Sequence, residues 1–194
     1  PGLEAEPRDA FMERYRAAVI ELQERLAADP AVAEVTFADL LPRMYHGWWQ
    51  IEVEGGMEPA PDERGQRVGA AHVPPGFFAA LGQPIVSGRG LDDGDVGSGA
   101  PVVLVNQEFV SRVLGGRNPL GRRVRVLASE RDRDPDAEPG PWHEIVGVVP
   151  DVSSGAGWDR AAMYHPTAPG DVHPIYVAAR IRGDRPEAFA PRLG

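Results

Sequence analysis

Residues 101–126 read PVVLVNQEFVSRVLGGRNPLGRRVRV, and the order of signals in this stretch decides the class of fold. Pro101–Val105 is a short apolar run of the kind that forms a buried strand. Asn106 follows at once, and its side-chain oxygen suits the free N–H groups at a helix start. A helix is therefore expected through Leu114, closed by Gly115 and Gly116. NPLG then makes a turn, after which Val124 and Val126 alternate with Arg123 and Arg125 as in a strand with one wet face. Strand, helix, turn and strand in such close order imply an α+β domain of short elements.

The flanking sequence continues in the same style. Upstream, residues 73–95 read VPPGFFAALGQPIVSGRGLDDGD. Pro75 suits the first turn of a short helix and Gly82 its stop, with Phe77, Phe78 and Leu81 on the buried face. The rest of that segment is turn-rich, and Gln66–Val73 before it reads as a strand. Downstream, Trp142–Val149 is a strand in which Gly147 marks a bulge or a close backbone approach. AMYHP, residues 162–166, reads as a brief edge strand. In Pro174–Arg182 the alternation points Ile175, Val177, Ala179 and Ile181 inward. Near the N-terminus, Phe11, Tyr15, Val19, Leu22 and Leu26 recur at helical spacing, giving an amphipathic helix over Arg8–Ala28 that Pro30 ends. Residues 32–37 form a half-buried strand, and a cleaner alternation sets Trp49, Ile51 and Val53 against Trp48, Gln50, Glu52 and Glu54. Gly55–Gly65, Ser129–Pro141 and Ser153–Gly157 are connections, and Pro186 starts a helix that reaches Leu193. Seven or so strands are expected in all.

Composition excludes more than it proposes. The chain has 194 residues, and its 23 glycines and 20 prolines are spread between apolar segments, which signals many turns rather than disorder. There is no lysine; all twenty basic residues are arginines. A Walker A lysine, a Schiff-base lysine and a catalytic lysine are thereby excluded from this segment. The formal charge of −9 disfavours nucleic acid and anionic bilayers as partners. Without cysteine there is neither a disulfide nor a thiolate metal site. No apolar run approaches the roughly 18 residues of a membrane span, and no signal peptide opens the chain.

No catalytic constellation emerges. Asp92, Asp93 and Asp95 resemble the start of a calcium loop, but the twelfth position from Asp92 is Val103 instead of a glutamate, so a solvated turn is the better reading. His165, Asp171 and His173 offer metal-ligand residue types, yet no third histidine stands at ligand spacing, which favours a surface loop. No serine lies in a nucleophile elbow, and no glycine-rich stretch has a nucleotide-binding frame. Neither a metal nor a cofactor is expected. Arg112, Arg117, Arg122, Arg123 and Arg125 form a local basic patch, read as arginines shown to water. Trp48 and Trp49 are adjacent, so alternation sends them to opposite faces. One belongs to the core; the other is a candidate partner contact or is covered by its own domain.

The order of motifs nevertheless carries a resemblance. Residues 73–95 and 101–126, then HEIVGVVPDV at 143–152 and MYHP at 163–166, resemble the MacB-like periplasmic core domain of bacterial ABC-transporter permeases. Pro75, Gly76, Phe78, Gly82, Gly88, Arg89, Asp95, Asn106, Pro119, Gly121, Gly147, Val148 and Asp151 fall on marked positions of that pattern. DPAVAEVTFADLLP, residues 29–42, is similar to the family's opening. The arginine-only usage and the GRR wording resemble the duplicated orphan permeases. The resemblance implies a Porter-like part from both chain ends, residues 1–64 and 158–194, with a Sabre-like part inserted at 65–157. It implies structural roles for the marked residues, including an Arg89–Asp95 pair. It also implies a non-catalytic domain outside the cytoplasmic membrane between flanking transmembrane helices. An ATPase subunit or segment, and an adaptor or second permease copy, would be its partners. A soluble domain that binds a lipid, peptide or small hydrophobic compound between its two parts is the alternative.

Overall fold

Strands with one apolar face find partners where those faces can meet, and here six of them close on one another. The computed structural model describes residues 7–42, 44, 47–56, 66–97, 101–129, 138–152, 161–183 and 189. In chain order the elements are α1 (Arg8–Ala27), β1 (Val32–Ala38), β2 (Trp48–Val53), β3 (Gln66–Val73), α2 (Phe77–Ala80), β4 (Ser87–Gly88) and α3 (Asp93–Gly97). They continue as β5 (Val102–Asn106), α4 (Gln107–Arg112), β6 (Arg123–Ser129), β7 (His143–Val149), β8 (Ala162–Pro166) and β9 (Tyr176–Ile181). The larger sheet runs β4-β7-β5-β8-β3-β2-β6, and β6 also pairs with β7. Strands β7, β5, β8, β3, β2 and β6 therefore make a closed barrel, with β4 added outside on β7. Pairs β5–β7 and β3–β8 are parallel; the others are antiparallel.

Alternation sorts the side chains between the two faces of this wall. Ile51, Val68, Ala70, Val103, Val105, Val124, Ile145 and Met163 fill the lumen, and Phe109 and Leu114 around α4 close one end. A barrel of this size has room inside only for its own side chains. Outside, Ala71, Val73, Leu104, Val149, Ala162 and Tyr164 form a second core under Phe77 and Phe78 of α2. The remaining elements form a smaller layer. β1 and β9 pair antiparallel, and α1 packs against β1 and the loop that leads into β9. Arg16 of α1 pairs with Asp171 at 2.7 Å, and the rings of Phe11 and Tyr15 meet His173 at 5.2 and 4.8 Å. Arg182 donates to the carbonyls of Pro30 and Val32, fastening the end of β9 to the start of β1.

Several expectations change. β8 is not an edge strand: it lies between β5 and β3, near the middle of the sheet. His165 is accordingly buried on β8 and does not belong to a surface loop. Pro75 precedes α2. Gly76, at φ 76° and ψ −2°, separates the two, and the Phe77 N–H donates to the Pro74 carbonyl at 3.2 Å. That is a type II turn with proline and glycine in its favoured places. Asp93–Asp95 open the short helix α3 instead of lying in a solvated turn. α4 ends at Arg112, two residues early. In α1 only Val19 is fully buried, and Leu22 is 42% exposed. Val177 on β9 is exposed rather than inward, because a two-stranded layer covers only part of its strands.

The strands nearest the expected domain boundaries, β2 and β8, hydrogen-bond to β3 in the larger sheet. Residues 57–65, 130–137 and 153–157 of the expected connections lie outside the described residues. So does the expected helix Pro186–Leu193, except for Phe189, which is buried.

Candidate functional site

Several of the marked residues, Gly88, Arg89, Asn106, Gly147 and Val148, gather along β7 and β5. Gly88 on β4 has φ 73°, and a Cβ there would overlap the Val146 carbonyl and the Leu120 side chain. A Cβ on Gly147 would overlap the Arg89 carbonyl oxygen and press on Leu104. Only glycine permits this crossing of two backbones. The register between β5 and β7 slips by one residue here, from Val103↔Ile145 to Leu104↔Gly147, so Gly147 sits at a bulge as well as a close approach.

Arg89 leaves this crossing and clasps Asp95, Nη1 to Oδ2 at 2.6 Å and Nη2 to Oδ1 at 2.8 Å. Asp95 is only 5% exposed and also accepts the Asp92 N–H at 2.9 Å. The paired guanidinium holds its carboxyl below the ordinary value of 3.8 despite the opposing effect of burial. A depressed acid stabilises the fold fully above its unfolded value, so this contribution fades as the pH falls below 3.8. Asp92 caps α3, its Oδ1 accepting from Gly94 and Asp95.

Asn106 joins three elements. Its Oδ1 accepts the Phe109 N–H of α4 at 2.9 Å and the Ala162 N–H of β8 at 2.8 Å. Asp151 adds a second cap, taking the Glu108 N–H at 2.8 Å. Gly82 ends α2 at φ 71°, with the Gln83 N–H donating back to Phe78 at 2.8 Å. Phe78 is buried against Tyr164. Pro119 is buried, and Gly121, at φ 77°, turns the chain into β6, its N–H donating to the Ile145 carbonyl.

The remaining candidates separate. His165 lies in the barrel lumen, whereas Asp171 and His173 face α1, so no site unites them. Among the described residues no group of three His, Cys, Asp or Glu side chains is arranged to hold a metal ion. Of the basic patch, Arg112, Arg123 and Arg125 pair with Glu108, Glu54 and Glu52. Arg117 and Arg122 donate to the backbone carbonyls of Leu114 and Asn118. Trp49 points into the lumen, and Trp48 lies on the outer wall under the Arg67 guanidinium, 4.4 Å away. Sequence reading missed a cluster: His72, His143 and His165 come together beside Trp49. The signal was present, since His165 keeps the parity of Met163 and His72 that of Val68 and Ala70. It has meaning only once the barrel is closed.

A family model for the MacB-like periplasmic core domain matches residues 12–193. The chain belongs to that family. MacB-like periplasmic core domains are parts of ABC-transporter permeases, and solved relatives share the fold. The periplasmic region of MacB from Actinobacillus actinomycetemcomitans is 16% identical, with a TM-score of 0.55 over 90% of this chain and 69% of that one. A domain assigned to a permease protein from Porphyromonas gingivalis is 19% identical, with a TM-score of 0.56 over 90% and 71%. The extracellular domain of the noncanonic ABC-type transporter YknZ from Gram-positive bacteria is 14% identical, with a TM-score of 0.52 over 88% and 75%. No curated protein matches the sequence. No helix among the described residues is long and apolar enough to cross a membrane.

Proposed function

We propose that this MacB-like periplasmic core domain is a non-catalytic relay on the outer side of the cytoplasmic membrane. It would be carried between transmembrane helices of its permease and would pass on motion driven by an ATPase subunit or segment. The observation that carries this reading is how the described polar side chains are used. Arg89, Asp95, Asn106 and Asp151 are spent on backbone and ion-pair bracing, which makes a stiff body able to transmit displacement. We divide it into a Porter-like layer of α1, β1 and β9 and a barrel that includes β2 and β8. Trp48, on the outer barrel wall, is the contact offered to an adaptor or a second permease copy; Trp49 is committed to the lumen. The lumen is filled by the protein's own side chains, which leaves the ligand-capture reading without support there.

The test is protease treatment of cells or spheroplasts expressing the full-length gene, with and without permeabilisation. Cleavage within this segment in intact spheroplasts, and retention of the protein in membranes through a carbonate wash, are expected. Protection until lysis, or recovery in the soluble fraction, defeats the proposal.

A further inference from the structure

Three of the chain's five histidines meet at one mouth of the barrel. His143 opens β7 and His165 nearly ends β8, both level with the start of β5, whereas α4 plugs the end to which β5 leads. His72 lies opposite His165 on the neighbouring parallel strand. The His72 and His165 rings are 5.4 Å apart, and His143 stands edge-on to His165 at 4.8 Å. Trp49 touches both His72 and His165, at 5.9 and 5.5 Å. His165 is 7% exposed, and its Nε2, like His143 Nδ1, is buried without a hydrogen-bond partner.

The smaller layer attaches beside this mouth, where Ala38 at the end of β1 is also buried in the outer core with Phe77 and Phe78. Asp39, directly after β1, takes the His72 N–H on Oδ1 at 2.7 Å and meets the His72 ring Nδ1 with Oδ2 at 2.7 Å. Its own N–H donates to the His72 carbonyl at 3.4 Å. The ring that holds β1 to the barrel thus leans on the most deeply buried imidazole among the described residues.

We propose that this histidine-lined mouth is an acid-sensitive latch, closed on the β1–β9 layer while His165 is neutral and released when His165 takes up a proton. The groups facing His165 leave a charge there unanswered. His72 comes from β3, His143 from β7 and Trp49 from β2, and β5 presents Val103 and Val105. The Asp39 carboxylate is engaged by His72. Arg123 and Arg125 of β6 are turned outward onto Glu54 and Glu52. A buried imidazolium without a counter-charge is costly, and a second one beside it more so. Burial, then the neighbouring His72 and His143, push His165 down to about 3. His143 is lowered as well, chiefly by burial.

The sign follows directly. A histidine that is harder to protonate in the folded state contributes its full stability above its unfolded value of 6.5. Below that, the released or unfolded state binds the proton first, and stability falls as the pH drops. Well below its unfolded value, each such histidine raises the unfolding constant about tenfold per pH unit. Most carboxylates do not yet protonate between pH 6.5 and 5, so this window isolates the histidines.

The experiment is urea unfolding of the 194-residue chain at pH 7.5, 6.5, 5.5 and 5.0, for the wild type and for His165→Leu. From His165 alone the wild type should lose about fivefold in its folding constant between pH 6.5 and 5.5 and about threefold more by pH 5.0, with His143 adding to both. His165→Leu should show a slope shallower by about one proton. A flat wild-type profile, or an unchanged slope in the variant, overturns the latch. If His165→Leu does not fold, the wild type decides alone, by imidazole proton NMR and hydrogen exchange over the same range. The His165 resonance should stay fixed in the folded protein, while the protection of the His72 amide, measured against the intrinsic exchange rate at each pH, should fall as the pH falls. A His165 signal that titrates near 6.5 in the folded state overturns the proposal, as does a His72 protection factor that acid leaves unchanged.

Discussion

Asn106 shows how much one side chain can fasten. Its oxygen caps α4 and also satisfies an N–H at the start of β8, so deleting it removes a helix cap and orphans a buried donor. A lost cap costs about 1 kcal/mol and an unsatisfied buried amide about 1–3 kcal/mol. Asn106→Ala is therefore expected to lose about 2–3 kcal/mol in urea unfolding. Asn106→Asp, which keeps the acceptor, should lose clearly less; equal losses would mean that packing, and not the shared oxygen, is what matters there. The first half of this role was legible, since asparagine after an apolar strand and before a helix is a cap signal. The second half was not, because Ala162 lies 56 positions away and nothing local announces it. The histidines were illegible for the same reason. His165 stood with Asp171 and His173 in the sequence, His72 and His143 stood alone, and a shared lumen made the three histidines neighbours.

At the scale of elements, the strands other than the two-residue β4 were readable and their partners were not. Alternation located β2 and β6 because one face of each is apolar. AMYHP, five residues between loops, gave no sign that it would pair with β3 on one side and β5 on the other. The reverse error fell on β9, whose even alternation suggested a buried strand. Tyr176 is exposed as expected, but so is Val177, because among the described residues β1 is the one strand paired with β9. These positions predict how stability is distributed. Backbone amides open locally where few apolar contacts hold them, and last where the core is continuous. In hydrogen exchange at neutral pH, the amides of Val103–Val105 and of Met163 and Tyr164 should be the slowest in the chain. Those of Tyr176–Ile181 should exchange well before them. If β9 proves as protected as β5 and β8, the smaller layer is not the weaker part of the molecule and the latch has nothing to release.

The whole molecule is a closed barrel with a helix-backed pair of strands attached at one mouth, and its electrostatics bear on where it can work. The charge of −9 is spread over a surface whose described arginines are largely paired or bonded to backbone carbonyls. The local patch at Arg112–Arg125 therefore does not behave as a free basic face. An anionic bilayer carries its own negative surface potential, which attracts polybasic segments and repels a body of this sign. A relay standing beside a membrane profits from that repulsion, since adhesion to lipid would hold it still. A lipid-capturing domain would need the opposite. In sedimentation with vesicles containing phosphatidylglycerol, the 194-residue chain should remain in the supernatant at pH 7.5, and lowering the salt should not bring it down. Salt-sensitive binding would show that the arginine patch is available after all, and would move the ligand-binding reading ahead of the relay. Binding that salt does not affect would point instead to an apolar face, and the exposed Tyr176 and Val177 on β9 would be the first residues to change.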